Sequence, residues 1–302
     1  MKIIKYIGGA LRGTEEKWGG TCATNYALLK AMEGHPEFKL IAKFRPEFTQ
    51  ADQIEAFLAG GDITHVDDTS LITMMFKAGM PPPDVIGPIT RSPVKDYKGW
   101  RSEYPAEWFY QAKVIRLNYA EELNNREQVT LIRHGINTDF LHPVKDDTWR
   151  HYVLWAGDSK RYAKNYPMMQ EIIKSTTLPP PYKFKVMSNY RVEDYWKLLD
   201  RAAILVNTSR YESFCCAAFE AMARGVPVIW QKGLQGGVHE AAGIRVDYTV
   251  EAYREAILSA LIGSQFLKWG MEAREYCVAH ASLAVMREDL SRVYREVMEG
   301  KD

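Results

Sequence analysis

Short apolar runs alternate with amphipathic stretches along nearly the whole chain, and that alternation restricts the fold more than any other feature. KIIKYIG, FKLIAKF, DITHV and PDVIGPI read as strands, and CATNYALLKAM, QADQIEAFLAG and SLITMMFKAG between them carry helical spacing. A strand alternating with a helix of about 10–15 residues is the pattern of a parallel sheet covered on both faces. From Arg91 to Tyr110 the pattern lapses into a polar, aromatic stretch, RSPVKDYKGWRSEYPAEWFY, before KVIRLN and TLIRHG resume as strands. His142 to Arg150, with a proline, two aspartates and no periodicity, reads as a linker. The alternation then restarts with HYVLWAG, NYPMMQEIIKS, YKFKVMS, VEDYWKLLDRA, AILVNTS, FCCAAFEAMARG and PVIWQ, and the chain from about Thr249 is helical in pattern. The fold class expected is therefore α/β, with two Rossmann-like domains facing each other across a cleft. Their expected bounds are 1–145 and 146–285, with a last helix at about 286–302.

Composition narrows the class of protein. With 46% hydrophobic and 25% charged residues in 302, a packed core is expected and disorder is not. Lysine and arginine number 39 against 38 acids, a net +1, which excludes a chain-wide basic footprint for nucleic acid. Four cysteines, two of them adjacent (Cys215 and Cys216), form no CxxC pair and no evenly spaced disulfide framework, so a reducing, cytoplasmic setting is expected. The opening MKIIKYIGGALRG is too short in apolar residues for a signal segment and reads as a strand. No run approaches the ~18 apolar residues of a transmembrane helix.

The segment Asn207 to Val228, NTSRYESFCCAAFEAMARGVPV, carries the chemistry. A buried strand leads into a helix that Gly225 ends, with Pro227 just beyond and Ser213 as the expected N-cap. In open α/β sheets, ligands sit outside the carboxyl ends of strands, where helix N-termini aim free N–H groups at them. A phosphate against Ser213, Phe214 and Cys215 would be stabilised there. Glu212 precedes this helix and Glu220 lies about two turns inside it, roughly 10 Å further along. That separation is too wide for one metal or a shared proton. It suits two hydroxyl-bearing groups on either side of a phosphate.

These residues resemble the E-x7-E signature of GT-B retaining glycosyltransferases of the family 4-like group, whose usual form is ExFG…EAMAxGxPV. LIRHGINTDFLHP and LWAGDSKRYAKNYPMM are similar to two further marks of that family in order and spacing. The resemblance implies transfer of a hexosyl unit from a nucleotide-diphosphate sugar to a hydroxyl acceptor, with retention and without a metal or other cofactor. It implies that Glu212 contacts the transferred sugar, that Glu220 holds the ribose diol, and that amides near Phe214, Cys215 and Cys216 face the diphosphate. Lys164 matches the lysine that neutralises the departing diphosphate, where fixed cations aimed at the leaving group supply the stabilisation. Asp158 stands where the family has an arginine, so Lys160 or Arg161 is expected to supply the second cation. Cys215 stands where the family has a glycine. Ser188 and Asn189 fall where backbone groups read the base. Gly19 and Gly20 resemble the glycine pair of the first strand-to-helix loop. The family's second histidine near the reaction centre is matched either by His65 or by Asp67. By the same likeness the last helix crosses back onto the first domain.

Other readings fit less well. GGALRG has its glycines at the wrong spacing for a dinucleotide fingerprint, and GALRGT lacks the Gly-Lys-Ser/Thr ending of a P-loop. Asp67-Asp68 and Asp146-Asp147 are adjacent pairs and not the DxD of a metal-dependent sugar transferase. His239-Glu240 has no second histidine at metalloprotease spacing. The chain is short for a phosphorylase. The alternative from another class is a non-catalytic sugar- or nucleotide-binding module of the same fold, which Asp158 and Asp67 favour. The partners expected are a nucleotide sugar and a hydroxyl acceptor, not nucleic acid, with peripheral membrane contact left open.

Overall fold

The structure is a computed structural model that describes residues 1–8, 20–89, 113–116, 129–144, 150–188, 190–212, 214–234 and 243–301. It divides into two compact units: the described residues up to Gly135 together with Leu283 onward, and Ile136–Ser282.

In the first unit, β1 (Lys2–Gly8), β2 (Phe38–Phe44), β3 (Ile63–Asp67), β4 (Val85–Ile89), β5 (Lys113–Arg116) and β6 (Val129–Leu131) form one parallel sheet in the order β2-β1-β3-β4-β5-β6. Neighbouring side chains of a strand point to opposite faces, so Tyr6 and Ile7 enter different cores. Ile4, Tyr6, Ile63 and Val85 pack with Ala27 and Leu28 of α1 (Gly20–Met32) and with Met286, Leu290, Val293 and Tyr294 of the last helix (Leu283–Glu299). Ile7, Val66 and Ile86 pack on the other side with Ile54 and Phe57 of α2 (Ala51–Leu58) and Leu71 and Ile72 of α3 (Thr69–Lys77). Asp68 caps α3 by accepting from Leu71 N at 3.0 Å.

The last helix belongs to this unit for identifiable reasons. Leu290 and Val293 are fully buried, each removal from water contributing about 1.5–3 kcal/mol. The Asp289 carboxylate accepts from Arg133 Nε at 2.9 Å, Arg133 Nη2 at 2.8 Å and the Arg133 amide at 2.8 Å.

The second unit repeats the topology. Strands β7 (Tyr152–Ala156), β8 (Lys183–Met187), β9 (Ala202–Val206), β10 (Val228–Gln231) and β11 (Ile244–Val246) are parallel in the order β8-β7-β9-β10-β11. One face packs Val153, Trp155, Ile204 and Ile229 on α4 (Tyr166–Ser175) and α7 (Val250–Leu261). The other packs Leu154, Leu205, Val228 and Trp230 on α5 (Val192–Leu199), α6 (Cys216–Ala223) and α8 (Gln265–Ala281). Gly225, at φ +69°, closes α6 as expected, its N–H reaching Met222 O and that of Val226 reaching Ala221 O.

The units change over at Gly135–Ile136 and Ser282–Leu283, earlier than the expected 145/146 and 285/286. Ile136 N donates to Ala281 O at 2.7 Å and Ile136 bridges Ser282, while Ile136 and Leu141 enter the second unit's core. Of the linker expected over 142–150, residues 145–149 lie outside the described residues; at its end the buried Arg150 holds the carbonyls of Gly225 and Arg224 at 2.6 and 3.0 Å. Among the described residues no helix is long and apolar enough to cross a membrane.

Candidate functional site

In each sheet the connections leave in opposite directions from one point, between β1 and β3 and between β7 and β9. That is where an open parallel sheet offers a crevice at its carboxyl edge. In the second unit, two loops meet there: 157–165 after β7 and 207–215 after β9.

The two loops are stitched by side chains. Asn207 Oδ1 accepts from Ser209 N at 2.7 Å, a local turn that asparagine favours, and its Nδ2 donates to Cys215 Sγ at 2.9 Å. Thr208 Oγ1 accepts from Trp155 Nε1 at 3.0 Å and lies 2.9 Å from Lys164 O. Gln231 Nε2 reaches Ser209 O and Arg210 O, both at 3.0 Å, and Arg210 N donates to Ala163 O at 2.8 Å. Asn165, left-handed at φ +45°, accepts from Arg210 Nη2 at 3.0 Å, and its Nδ2 lies 2.6 Å from Tyr248 Oη.

This scaffold brings Lys164 and Glu212, 48 residues apart, into contact: Lys164 Nζ donates to Glu212 Oε1 at 2.6 Å. Ser209 Oγ donates to the same oxygen at 2.5 Å. The side chains are only 18% and 10% exposed. Burial is the largest single influence and disfavours both charges, but the partner's charge and the hydrogen bonds together outweigh it. Lys164 is held above the ordinary lysine range and Glu212 below the ordinary carboxylate range. Both are ionised at neutral pH.

Glu220 contrasts with Glu212. It lies inside α6, and burial pushes its carboxyl up to about 8. Its charge is felt by the Tyr190 hydroxyl, which burial first and then Glu220 push upward. At neutral pH Glu220 carries a proton and can donate, while Glu212 can only accept. Phe214 stacks on Phe219 at 4.3 Å between ring centres. The helix begins at Cys216 with Cys215 at the cap position and no side-chain cap. This corrects the Ser213 N-cap: the turn is organised by Asn207 and Cys215, and Ser213 itself lies outside the described residues, as does Asn189.

The loop after β7 shows what Asp158 does. Its Oδ1 accepts from Lys160 N at 3.0 Å, closing a turn, and its carbonyl accepts from Arg161 N at 3.1 Å. Lys160 and Arg161 are exposed and have no carboxylate partner among the described residues. The charge of Arg161 acts against that of Lys164, so the two cations share one neighbourhood. Ser188 faces the same loop, its Oγ accepting from Ser159 N at 3.1 Å and lying 2.9 Å from Ser159 Oγ.

In the first unit, His65 is not at an open edge. It is fully buried, its Nε2 lies 2.5 Å from Gly87 O, and its Nδ1 lies 2.9 Å from Tyr294 Oη. A carbonyl only accepts, so Nε2 carries the proton and Tyr294 donates to Nδ1. Burial lowers the imidazole to about 4. His65 thus joins β3, β4 and the last helix and has no nitrogen left for a ligand. Asp67 is the residue at the carboxyl edge, paired in register with Gly8 of β1. Burial and then the Asp68 charge push its carboxyl well above the usual range. Tyr6 Oη donates to Asn25 Oδ1 at 2.7 Å and lies 3.5 Å from Asp67 Oδ2. Gly20 opens α1. Gly19 and the whole aromatic 91–110 stretch lie outside the described residues.

Sequence reasoning missed Asn207, Ser209, Arg210 and Tyr190. Asn-Thr-Ser directly after a buried strand was a readable turn signal for the first two; Tyr190 carried none. Among the described residues, no group of three or more His, Cys, Asp or Glu side chains is placed to hold a metal ion.

With two parallel sheets, of six and five strands, that share the same order over five of them, the fold is that of GT-B glycosyltransferases. Sucrose-phosphate synthase from Thermosynechococcus elongatus superposes with a TM-score of 0.74 at 16% identity, over 99% of this chain and 100% of that one. Anabaena Alr3699/HepE, solved with UDP-glucose, gives 0.69 at 14% identity over 98% and 100%. AviGT4, a glycosyltransferase of avilamycin A biosynthesis, gives 0.66 at 13% identity over 99% of each chain. Residues 140–262, which contain Lys164, Glu212 and Glu220, match the family described as Glycosyl transferases group 1. No curated protein matches the chain by sequence.

Proposed function

We propose that this chain is a retaining glycosyltransferase that moves a hexosyl unit from a nucleoside-diphosphate sugar to a hydroxyl acceptor without a metal ion. The observation that carries this reading is the Lys164–Glu212 pair at the β7/β9 switch point, directly before α6 and its Glu220. The family match over the same residues supports it. HepE, solved with UDP and with UDP-glucose, makes a UDP-sugar the first donor to try.

In this reading the diphosphate lies between the two loops, against the amides of Phe214, Cys215 and Cys216. The bond from the anomeric carbon to the phosphate oxygen breaks and the acceptor hydroxyl oxygen takes its place. The hydroxyl proton passes to the departing phosphate. Lys164, with Arg161 or Lys160 beside it, offsets the charge that grows on the leaving group. Glu212, an acceptor only, takes hydrogen bonds from the sugar hydroxyls, and Glu220 takes those of the ribose. The first unit binds the acceptor, with Asp67 the group at its carboxyl edge. The enzyme works in the cytoplasm, with no resident cofactor.

The test is release of nucleoside diphosphate from UDP-, GDP- and ADP-sugars with a panel of hydroxyl acceptors, in EDTA, with the product anomer read by NMR. Turnover in EDTA with the donor's configuration kept supports the reading. Inversion or a requirement for added Mn²⁺ or Mg²⁺ contradicts the mechanism. Binding of a nucleotide sugar with no turnover for any acceptor favours a non-catalytic module.

A further inference from the structure

Inner strands of a parallel sheet are covered on both faces and are apolar, and Lys5 breaks that pattern. It lies at the centre of β1, in register with Ile41 of β2 on one side and Thr64 of β3 on the other. Lysines on an outer strand such as β2 blunt edge-to-edge pairing, but that does not account for one on an inner strand. Beside the short α2, an open cavity of about 450 Å³ is lined by Lys5, Lys43, Glu47, Gln53 and the rings of Phe48 and Phe57. Lys5 Nζ lies over the Phe57 ring at 5.1 Å, and Lys43 Nζ lies over the same ring at 5.4 Å and over Phe48 at 5.9 Å. An aromatic face steadies an ammonium but carries no net charge to neutralise it. Neither lysine has an ion-paired carboxylate among the described residues. Gln53 adds a third donor. Its Oε1 accepts from the amides of Thr49 and Gln50 at 2.8 and 3.3 Å and from the Thr49 hydroxyl at 3.2 Å. Backbone N–H groups only donate, so the oxygen is fixed on that side, and Nε2 keeps both protons with no partner among the described residues. The one carboxylate of the lining is Glu47, whose Oε1 is held by the Phe44 amide at 2.8 Å. The cavity therefore offers more donors than acceptors and a net positive charge.

We propose that this cavity is a phosphomonoester site, in which the Lys5 and Lys43 ammoniums and the Gln53 amide donate to the oxygens of one phosphate group. Such a group only accepts, presents three strong acceptor oxygens and carries about −1.5 to −2 at pH 7, which answers two cations and an amide donor. Lysine meets phosphate as a point charge and needs no planar fork. The volume lies within the ~300–1,000 Å³ of small-ligand sites, so an organic ester part fits beside the phosphate. Lys5 stands three residues before Gly8, about 10 Å along the strand from the carboxyl edge. The site is thus on a face of the sheet and apart from Asp67, and it does not depend on the glycosyltransferase reading, which puts its diphosphate in the second unit. Soluble phosphate esters and lipid phosphomonoester headgroups share this chemistry.

The experiment uses the full chain labelled with ε-¹³C-lysine, above the second phosphate pKa of about 6 and at constant ionic strength, titrated with inorganic phosphate and with glycerol 3-phosphate. The Lys5 and Lys43 signals are assigned through Lys5→Gln and Lys43→Gln. The predicted result is that both signals move together on one saturable curve. In each lysine variant the remaining signal titrates at least about tenfold more weakly. Glu47→Gln removes the opposing charge and binds about threefold more tightly, a change that loss of folding would not produce. Lys43 and Glu47 are exposed, so their variants carry the test even where Lys5→Gln lowers stability. Co-sedimentation with phosphatidylcholine vesicles, with and without phosphatidic acid, separates the two sources. Retention that needs phosphatidic acid and is lost in Lys43→Gln assigns a lipid headgroup; a saturable soluble ester without retention assigns a free one. Signals that move as far in sodium chloride alone, that follow two different curves or that never saturate overturn the proposal, as does Glu47→Gln binding no more tightly than the parent.

Discussion

Replacing Lys164 by methionine removes the charge and keeps most of the length, which isolates the ion pair. At 2.6 Å and an effective dielectric of about 20, the gross attraction is about 6 kcal/mol. Desolvation of both groups offsets much of it, yet breaking a buried pair from one side leaves the other charge stranded, at about 3–5 kcal/mol. With 18% and 10% of the two side chains exposed, the low end applies, about 3 kcal/mol. For a unit the size of Ile136–Ser282 that lowers Tm by about 6–12 °C. The pH dependence gives the sign. In the parent, Glu212 is depressed below 4.5, so its contribution is present above that value and lost as pH falls. In the variant burial is no longer opposed by the lysine but only by the weaker hydrogen bonding that remains, such as that from Ser209 Oγ, so the carboxyl rises and acid relieves the stranded charge. The Tm gap is therefore widest near neutrality and narrows as pH falls toward and then through about 4.5. Adding Glu212→Gln to Lys164→Met recovers part of the loss, a coupling read from the double-variant cycle. A gap equal at pH 4 and pH 8, or strictly additive losses, would refute the pair as described. The same variant lowers kcat by about 10²–10³ if Lys164 meets the leaving group.

Two further outcomes follow from single groups. Because Glu220 titrates at about 8 in the free protein and the proposed ribose contact favours its carboxylate, nucleotide affinity rises from pH 6 to pH 8 with proton release. Glu220→Gln removes that dependence in calorimetry, and a pH-independent parent would take Glu220 off the ribose. His65, lowered to about 4 by burial, contributes stability that is full above its unfolded value of about 6.5 and lost as pH falls toward 4. His65→Gln costs about 1–3 kcal/mol in denaturant melts at pH 7 and flattens stability across that window, with nucleotide affinity unchanged; a lost affinity would put His65 back in the site.

Element order was legible because strand and helix periods differ and alternate, and Gly225 ended its helix as expected. The inward direction of His65 was not. In a parallel sheet buried on both faces, residues alternate between two cores and not between core and solvent, so no polar–apolar contrast marks which way a strand residue points. Glu220 and Glu212 were legible as a spaced pair, whereas the charge on Glu212 depends on Lys164, 48 residues earlier, and the proton on Glu220 depends on burial. The start of α6 was misplaced because Ser213 fits a capping rule that Asn207 and Cys215 override through contacts across eight residues. Asp158 read as a missing arginine; in the structure it shapes the turn that presents Lys160 and Arg161.

The central claim is that the loops after β7 and β9, with α6, hold a nucleoside diphosphate through Lys164 and Glu220. Calorimetry of UDP, GDP and ADP with the parent chain, Lys164→Ala and Glu220→Ala, all in EDTA, tests it most directly. One diphosphate binding the parent in chelator, and losing at least about tenfold in each variant, is the predicted result. A parent that binds none of the three, or variants that bind as the parent does, would contradict it.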